Sequence, residues 1–215
     1  LGLSGFTMSI TNSSVQIMYN AMLQKVGGDL YVGIMTVINS VREVISMPVS
    51  GVTNSAQPVL GFNYGAKEYK RVRQGIVFTS TCSVVYTTLI WLCVHEFPEF
   101  FIRIFNRNGD LLAEGVPAMR IYFFGFFMMS LQFAGQAVFV GLGKSRYAVF
   151  FSIFRKVIIV IPLILILPTV FHLGTDGILM AEPVSNFIGG AACFGTMLFT
   201  VWPELKGKKK AVNDK

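Results

Sequence analysis

Six stretches of about twenty residues that lack Asp, Glu, Lys and Arg recur along this 215-residue chain. They cover residues 1–24, 44–66, 74–95, 121–142, 157–175 and 183–203. A helix needs about 20 residues to cross roughly 30 Å of hydrocarbon, and it pairs its backbone polar groups internally, as lipid requires. Only 13% of the residues are charged, against roughly 25% in an average soluble domain. The chain is therefore predicted to be an all-α, polytopic membrane protein.

The spacing of these stretches predicts the helix boundaries and the topology. We predict six transmembrane helices at about 4–24, 29–64, 72–95, 111–142, 147–171 and 177–202, followed by a basic tail over 204–215. The short amphipathic stretch at 97–109 is expected to lie in the outer membrane interface. One side of the predicted membrane collects most of the basic residues: Lys67, Lys70, Arg71, Arg73, Lys144, Arg146, Lys206, Lys208, Lys209, Lys210 and Lys215. The other side holds only Lys25, Arg103 and Arg107. The positive-inside rule makes the first side cytoplasmic, so both chain ends are predicted to be inside.

The remaining composition argues against several other classes of protein. The net charge of +7 is explained by topology, so no nucleic-acid partner is predicted. The three cysteines, Cys82, Cys93 and Cys193, are scattered in apolar stretches without metal-ligand or disulfide spacing. No nucleophile, phosphate-loop or zinc motif is found, so neither an enzyme nor a bound cofactor is predicted. Because the chain begins with Leu1, we interpret it as a fragment or a processed chain.

The first two predicted helices each carry a polar stripe at three- and four-residue spacing. The stripes consist of Ser9, Asn12, Ser13, Gln16, Asn20 and Gln24, and of Thr36, Asn39, Glu43, Ser46, Ser50, Thr53, Asn54 and Gln57. A polar face inside a membrane must meet protein or water. Two interpretations stay open, namely hydrogen bonding between packed helices and the wall of a hydrated cavity. Glu43 is either a transport residue or one member of an interfacial ion pair.

Further polar groups lie within the other predicted helices. Gln132 and Gln136 are one turn apart after a run of Phe and Met, and they either pack against a neighbouring helix or line an adaptable wall. Charged residues lie inside or at the edges of spans: Arg42, Arg120, Arg155, Lys156 and Glu182. Such charges are costly unless they are paired. We expect Glu182 and Asn186 to pair with Arg120 or Arg155 rather than to bind a cation.

The end of the second predicted helix carries a recognisable motif. It runs Gln57, Pro58, Gly61, Asn63, Gly65, Ala66 and Lys67, and it resembles the QPxxGxNxGAK element of multidrug and toxic compound extrusion (MATE) transporters. Further resemblances follow in the family's order: a GxGK turn at 141–144, Arg155 before an IPL triplet, and an AEPVS opening of the last helix at 181–185. Asn186 departs from the family pattern, because many members have an acid at the corresponding position.

The resemblance implies the C-terminal six-helix lobe of a twelve-helix transporter, with an N-terminal lobe as the missing partner. It further implies alternating access and efflux of amphipathic or cationic drugs in exchange for a coupling ion, H⁺ or Na⁺. On that basis the cleft candidates are Asn12, Gln16, Asn20, Asn39, Glu43, Gln57, Gln132 and Gln136. Two alternatives stay open: a flippase of lipid-linked oligosaccharides from the same superfamily, which would need a strongly cationic cleft, and a membrane assembly module without transport.

Overall fold

The computed structural model describes the backbone of residues 2–106 and 109–213, and the side chains of residues 9–106 and 109–206. The helices are α1 (Gly2–Gly65), α2 (Tyr69–Glu96), α3 (Pro98–Phe105), α4 (Gly109–Phe123), α5 (Phe126–Gly141), α6 (Ser145–Ile153), α7 (Ile161–Thr169) and α8 (Gly174–Asn213), with a π-helical segment, Phe154–Val160, between α6 and α7. The predicted cations Arg107, Lys208, Lys209, Lys210 and Lys215 lie outside the residues whose side chains are described.

The longest helix, α1, is two antiparallel arms. Gly28 has φ 69° and ψ −166° and interrupts the helical backbone. A straight helix would hold Asn12 and Ser50 about 57 Å apart, yet both line the same cavity. The chain therefore turns back at Gly28, where the sequence predicted the junction between its first two helices.

The fourth predicted helix, 111–142, is not straight. It consists of α4 and α5, bent by 44° at Gly125, whose φ of 80° is left-handed. A side chain here would be strained by the backbone conformation and would also meet the ring of Phe187, 2.5 Å from an ideal Cβ. The bend follows from this glycine and its contact with α8.

The helices long and apolar enough to cross a membrane agree with the predicted fold class. Among the described residues, four stretches qualify, namely Ser9–Gly65, Tyr69–Glu96, Ser145–Thr169 and Gly174–Lys206, and the bent α4–α5 pair makes a fifth. Because Gly28 divides the first stretch into two arms, the described residues form six candidate passes. The last helix continues to Asn213, so the backbone of the predicted tail is helical up to that residue.

Two buried clusters hold the passes together. The larger cluster joins both arms of α1 to α4 and α8, through side chains such as Tyr19, Ile38, Met119 and Leu179. The smaller cluster lies at the end that the sequence predicts to be cytoplasmic, around Leu60, Phe139 and Met197. The cavity described below lies beside the larger cluster, on the polar side of the α1 arms.

The motif at the end of α1 has a packing role in addition to its resemblance. A Cβ at Gly61 would lie 2.8 Å from the carbonyl oxygen of Gly141, and a Cβ at Gly141 would lie 2.9 Å from that of Gln57. The two backbones therefore cross at a distance that only glycine permits. After Gly141, the left-handed Gly143 (φ 74°) ends α5 with amide bonds from Gly143 to Val140 O and from Lys144 to Phe139 O, a Schellman motif.

Beyond these turns, three elements are tied by polar side chains. Tyr64 at the end of α1 donates to Oε1 of Glu204 in α8 at 2.6 Å. The other carboxylate oxygen of Glu204 forms an ion pair with Lys144, in the turn between α5 and α6. These half-buried contacts fix the ends of α1, α5 and α8 relative to one another.

Candidate functional site

A cavity of about 870 Å³ opens between the two arms of α1, α5 and the π segment. Most of its lining residues are polar, namely Asn12, Ser13, Gln16, Asn39, Arg42, Glu43, Ser46, Ser50, Gln132, Gln136, Ser152, Arg155 and Lys156, and the apolar members are Ile17, Met47, Met129 and Phe133. A volume of this size accommodates a drug-sized molecule. Six of the eight cleft candidates therefore lie around one space.

Several of these polar groups lack partners. Both amide atoms of Asn39 and Oε1 of Gln132 are shielded from solvent and make no hydrogen bond within the described part of the chain. Gln136 differs, since its Nε2 donates to the carbonyl oxygen of Ala148 at 3.2 Å. Buried amides without partners are costly. Asn39 and Gln132 are therefore the groups best placed to bind water or a ligand in the cavity.

A buried ion network lies behind the cavity wall. Nη1 of Arg155 lies 3.1 Å from Oε1 of Glu182, and the same nitrogen donates to Oδ1 of Asn186. Arg42, from the second arm of α1, approaches the same Glu182 oxygen to 3.9 Å. Arg155, Glu182 and Asn186 are each at most 5% exposed. The predicted pairing of Glu182 and Asn186 with Arg155 is confirmed.

Arg120 is not part of this network. Its Nε donates to the carbonyl oxygen of His95 at 3.3 Å, in an exposed position. Arg120 lies in the last turn of α4, and this bond joins it to the end of α2. Of the two arginines expected as partners of Glu182 and Asn186, the structure therefore selects Arg155.

Arg42 and Glu43 are neighbours in the sequence, but their side chains meet different surroundings. Arg42 points to Glu182, whereas its neighbour Glu43 is exposed to the cavity, and no basic group lies within 4 Å of Glu43 among the described residues. The predicted alternative of an ion pair for Glu43 is therefore not observed there. Arg155 and Lys156 both line the cavity because they lie in the π segment, where the wider turn reduces the angle between successive side chains.

Two cleft candidates lie outside the cavity. Asn20 is on the same stripe as Gln16, but one turn nearer to Gly28. Its Oδ1 is buried and makes no hydrogen bond to any described residue. Gln57 lies about 10 Å of helix beyond Ser50, at the crossing with Gly141, and its Nε2 donates to Asn54 at 3.1 Å. Depth along the helix, which periodicity does not encode, separates both residues from the cavity.

Sequence reasoning missed the π segment and its consequences. The available signal was Pro162, which lacks an amide hydrogen and follows the two adjacent charges. Gly189 of α8 has a packing role beside this segment. A Cβ at this position would lie 2.7 Å from Cγ and Cδ of Arg155, so the glycine makes room for the arginine stem that reaches Glu182.

The described residues contain no group of three or more His, Cys, Asp or Glu side chains that could hold a metal ion. Glu43 lines the cavity, whereas Glu182 lies behind its wall and is already engaged by two arginines.

Fold and cavity together define one lobe of a helical membrane protein, with a cavity between its helices. The family model for MatE matches residues 6–166, which is most of the chain, and the chain belongs to the MatE family. No curated protein sequence matches this chain.

Solved structures of related transporters agree in fold. A MATE crystal structure in the bent conformation matches with a TM-score of 0.89 at 16% identity, covering 98% of this chain and 46% of that one. An inward-facing multidrug resistance MATE family transporter of the MOP superfamily matches with a TM-score of 0.85 at 15% identity. The match covers 98% of this chain and 48% of that one.

A MOP superfamily transporter from Pyrococcus furiosus matches with a TM-score of 0.83 at 16% identity, covering 96% of this chain and 45% of that one. It is described as having a binding pocket of reverse polarity that suggests a different function. This chain thus spans less than half the length of the transporters that it matches.

Proposed function

We propose that this chain is the C-terminal lobe of an alternating-access exporter, and that an N-terminal lobe of the same architecture closes its cavity. The observation that carries the proposal is the polar cavity of about 870 Å³ between the α1 arms, α5 and the π segment. Related transporters of this fold have been solved in inward-facing and outward-facing conformations, which is what rocking of two lobes around a central site would produce.

The first substrate class is small amphipathic organic cations, exported in exchange for H⁺ or Na⁺ across a bacterial inner membrane with the C-terminus inside. Two features support it. Met47, Met129 and Phe133 give the cavity an adaptable and aromatic side. Glu43 is a carboxylate without a basic partner among the described residues, so it is free to bind either the organic cation or the coupling ion, which would make the two compete.

Glu43→Gln is expected to lower gradient-driven efflux of an organic cation by about tenfold, since a charge-assisted contact of about 1.5–3 kcal/mol is lost. The measurement is the initial efflux rate of ethidium from proteoliposomes containing the full-length protein, with a pH or Na⁺ gradient. Glu99→Gln is the matched control, because Glu99 pairs with Arg103 on the surface of α3. If the Glu43 variant exports ethidium as fast as the parent protein, the Glu43 carboxylate does not take part in transport.

A second substrate class, anionic molecules such as lipid-linked intermediates, is favoured by a specific observation. Three of the four predicted membrane cations, Arg42, Arg155 and Lys156, line the cavity. Glu182 is shared between the two arginines, and Lys156 has no acidic partner within 4 Å in the described part of the chain. The transporter from Pyrococcus furiosus is described as having a pocket of reverse polarity, so pocket charge is a reasonable discriminator of substrate.

Lys156→Gln separates the two substrate classes. For a cation exporter, removing this positive charge is expected to raise the apparent affinity for ethidium several-fold, because like-charge repulsion at close range is lost. For an anion or lipid-intermediate transporter, the same variant is expected to lower transport of a fluorescent anionic substrate by about tenfold. Lys25→Gln, a lysine on the exposed side of the Gly28 turn, is the control. If neither the Glu43 variant nor the Lys156 variant changes transport of either substrate, the assembly-module alternative is favoured.

A further inference from the structure

A second concave surface lies away from the cavity, where the first turns of α2 meet the end of α8. It encloses about 590 Å³ and is lined by Lys70, Arg73, Gln74, Val77, Phe78 and Trp202, among others. We refer to it as the α2–α8 groove. It shares no residue with the cavity, so the function proposed above does not account for it.

The groove is basic at one end and apolar at the other. Lys70 and Arg73 lie in the first turns of α2, whereas Phe78 follows Arg73 by about 7 Å of helix. Val77 is 52% exposed and Phe78 is 68% exposed. Because α2 qualifies as a membrane span, these exposed apolar side chains face hydrocarbon, and the basic residues at the helix end lie at the level of lipid headgroups.

The basic end has unused hydrogen-bonding and charge capacity. Nε of Arg73 is shielded from solvent and makes no hydrogen bond within the described part of the chain. Neither Lys70 nor Arg73 forms an ion pair there. A guanidinium that is half buried without a counter-ion fits a phosphate, which accepts its parallel N–H groups.

We propose that the α2–α8 groove binds one anionic phospholipid. Its phosphate lies between Lys70 and Arg73, one acyl chain runs along Val77 and Phe78, and the indole of Trp202 lies at the interface beside the headgroup. The basic end and the apolar face follow the order of phosphate and acyl chain in a phospholipid, and Trp202 lines the same groove. The lipid bridges α2 and α8, which approach each other at this end of the lobe.

The test uses Trp202 as its own reporter. This lobe has two tryptophans, so Trp91→Phe, together with phenylalanine at any tryptophan of the N-terminal lobe, leaves Trp202 as the reporter. The full-length protein is placed in nanodiscs in which a small, fixed fraction of the lipid carries brominated acyl chains, either phosphatidylglycerol or phosphatidylcholine. Each basic residue near a membrane surface is worth about fivefold in local enrichment of anionic lipid. We therefore expect the apparent quenching affinity to be on the order of tenfold greater for the brominated anionic lipid.

The variants locate the effect. Lys70→Gln with Arg73→Gln is expected to abolish the preference, and Arg73→Lys to retain part of it. Lys67→Gln with Arg71→Gln removes the same charge from the same end of the lobe without touching the groove and is expected to preserve the preference. Circular dichroism and gel filtration check that each variant is folded.

Three results would overturn the proposal. The first is equal quenching by the two lipids. The second is a preference that survives in the Lys70 and Arg73 double variant. The third is loss of the preference when soluble inorganic phosphate is added, which would assign the site to a free anion instead of a lipid. None of these measurements involves transport, so their outcome is independent of the function proposed above.

Discussion

Glu182→Gln is expected to destabilise the lobe by about 3–5 kcal/mol, the cost of leaving buried charges without a counter-ion. Glu182 is 5% exposed and is the acid that both Arg155, at 3.1 Å, and Arg42, at 3.9 Å, approach. An amide retains a similar shape and one acceptor oxygen, so the decrease in the free energy of unfolding reports the lost charge and not a change in volume. Asn186 would still accept a hydrogen bond from Arg155, but a neutral amide cannot balance the charge of the arginine.

The measurement is the free energy of unfolding in mixed detergent micelles titrated with sodium dodecyl sulfate, followed by circular dichroism. Glu99→Gln is the control, since its surface pair with Arg103 is worth at most about 1 kcal/mol. Glu182→Leu combined with Arg155→Met should recover much of the loss, because a buried pair can be replaced by apolar residues of similar volume at little cost. A Glu182→Gln variant as stable as the parent would contradict the network.

Gly190→Ala is expected to have the second largest effect, a loss of about 1–3 kcal/mol through overpacking of the α5–α8 interface. A Cβ at Gly190 would collide with the main-chain carbonyl oxygen of Met128. A carbonyl oxygen held in a helix cannot turn aside as a side chain can, so α5 and α8 must separate.

The control is in the same helix. A Cβ at Gly195 would meet nothing within 4 Å, so Gly195→Ala should be neutral or should stabilise by up to about 1 kcal/mol, as alanine has the better helix propensity. Thermal unfolding of the two variants in the same detergent compares them directly. Equal melting temperatures for Gly190→Ala and Gly195→Ala would show that the two helices are not in close contact at Met128.

The amino-acid sequence predicts the membrane class and the positions of the passes because the cost of burying charge in hydrocarbon is local. Each uncharged run of about twenty residues must cross or be buried wherever it lies in the chain. The same local reasoning predicts the junction between the first two helices after residue 24, and in the structure the chain turns there at Gly28, which has a positive φ. The polar stripes on the α1 arms are also a local property, and Asn12, Gln16, Asn39 and Glu43 from the two stripes line one cavity.

Other features depend on contacts between helices, and no local pattern contains them. Asn20 and Gln57 share the stripes but lie outside the cavity, because its depth is set by where the arms join at Gly28 and where α5 crosses at Gly141. The bend at Gly125 depends on Phe187 of α8.

The sequence alone thus determined that this chain is a six-pass helical lobe with two polar faces, because hydropathy and periodicity act within one helix. Only the tertiary structure decided that Glu182 serves two arginines, that the π segment turns Arg155 and Lys156 together toward the cavity, and that Lys70, Arg73 and Trp202 share a groove. Each of these depends on the distance between side chains from different helices, which packing sets and the order of residues along one helix does not.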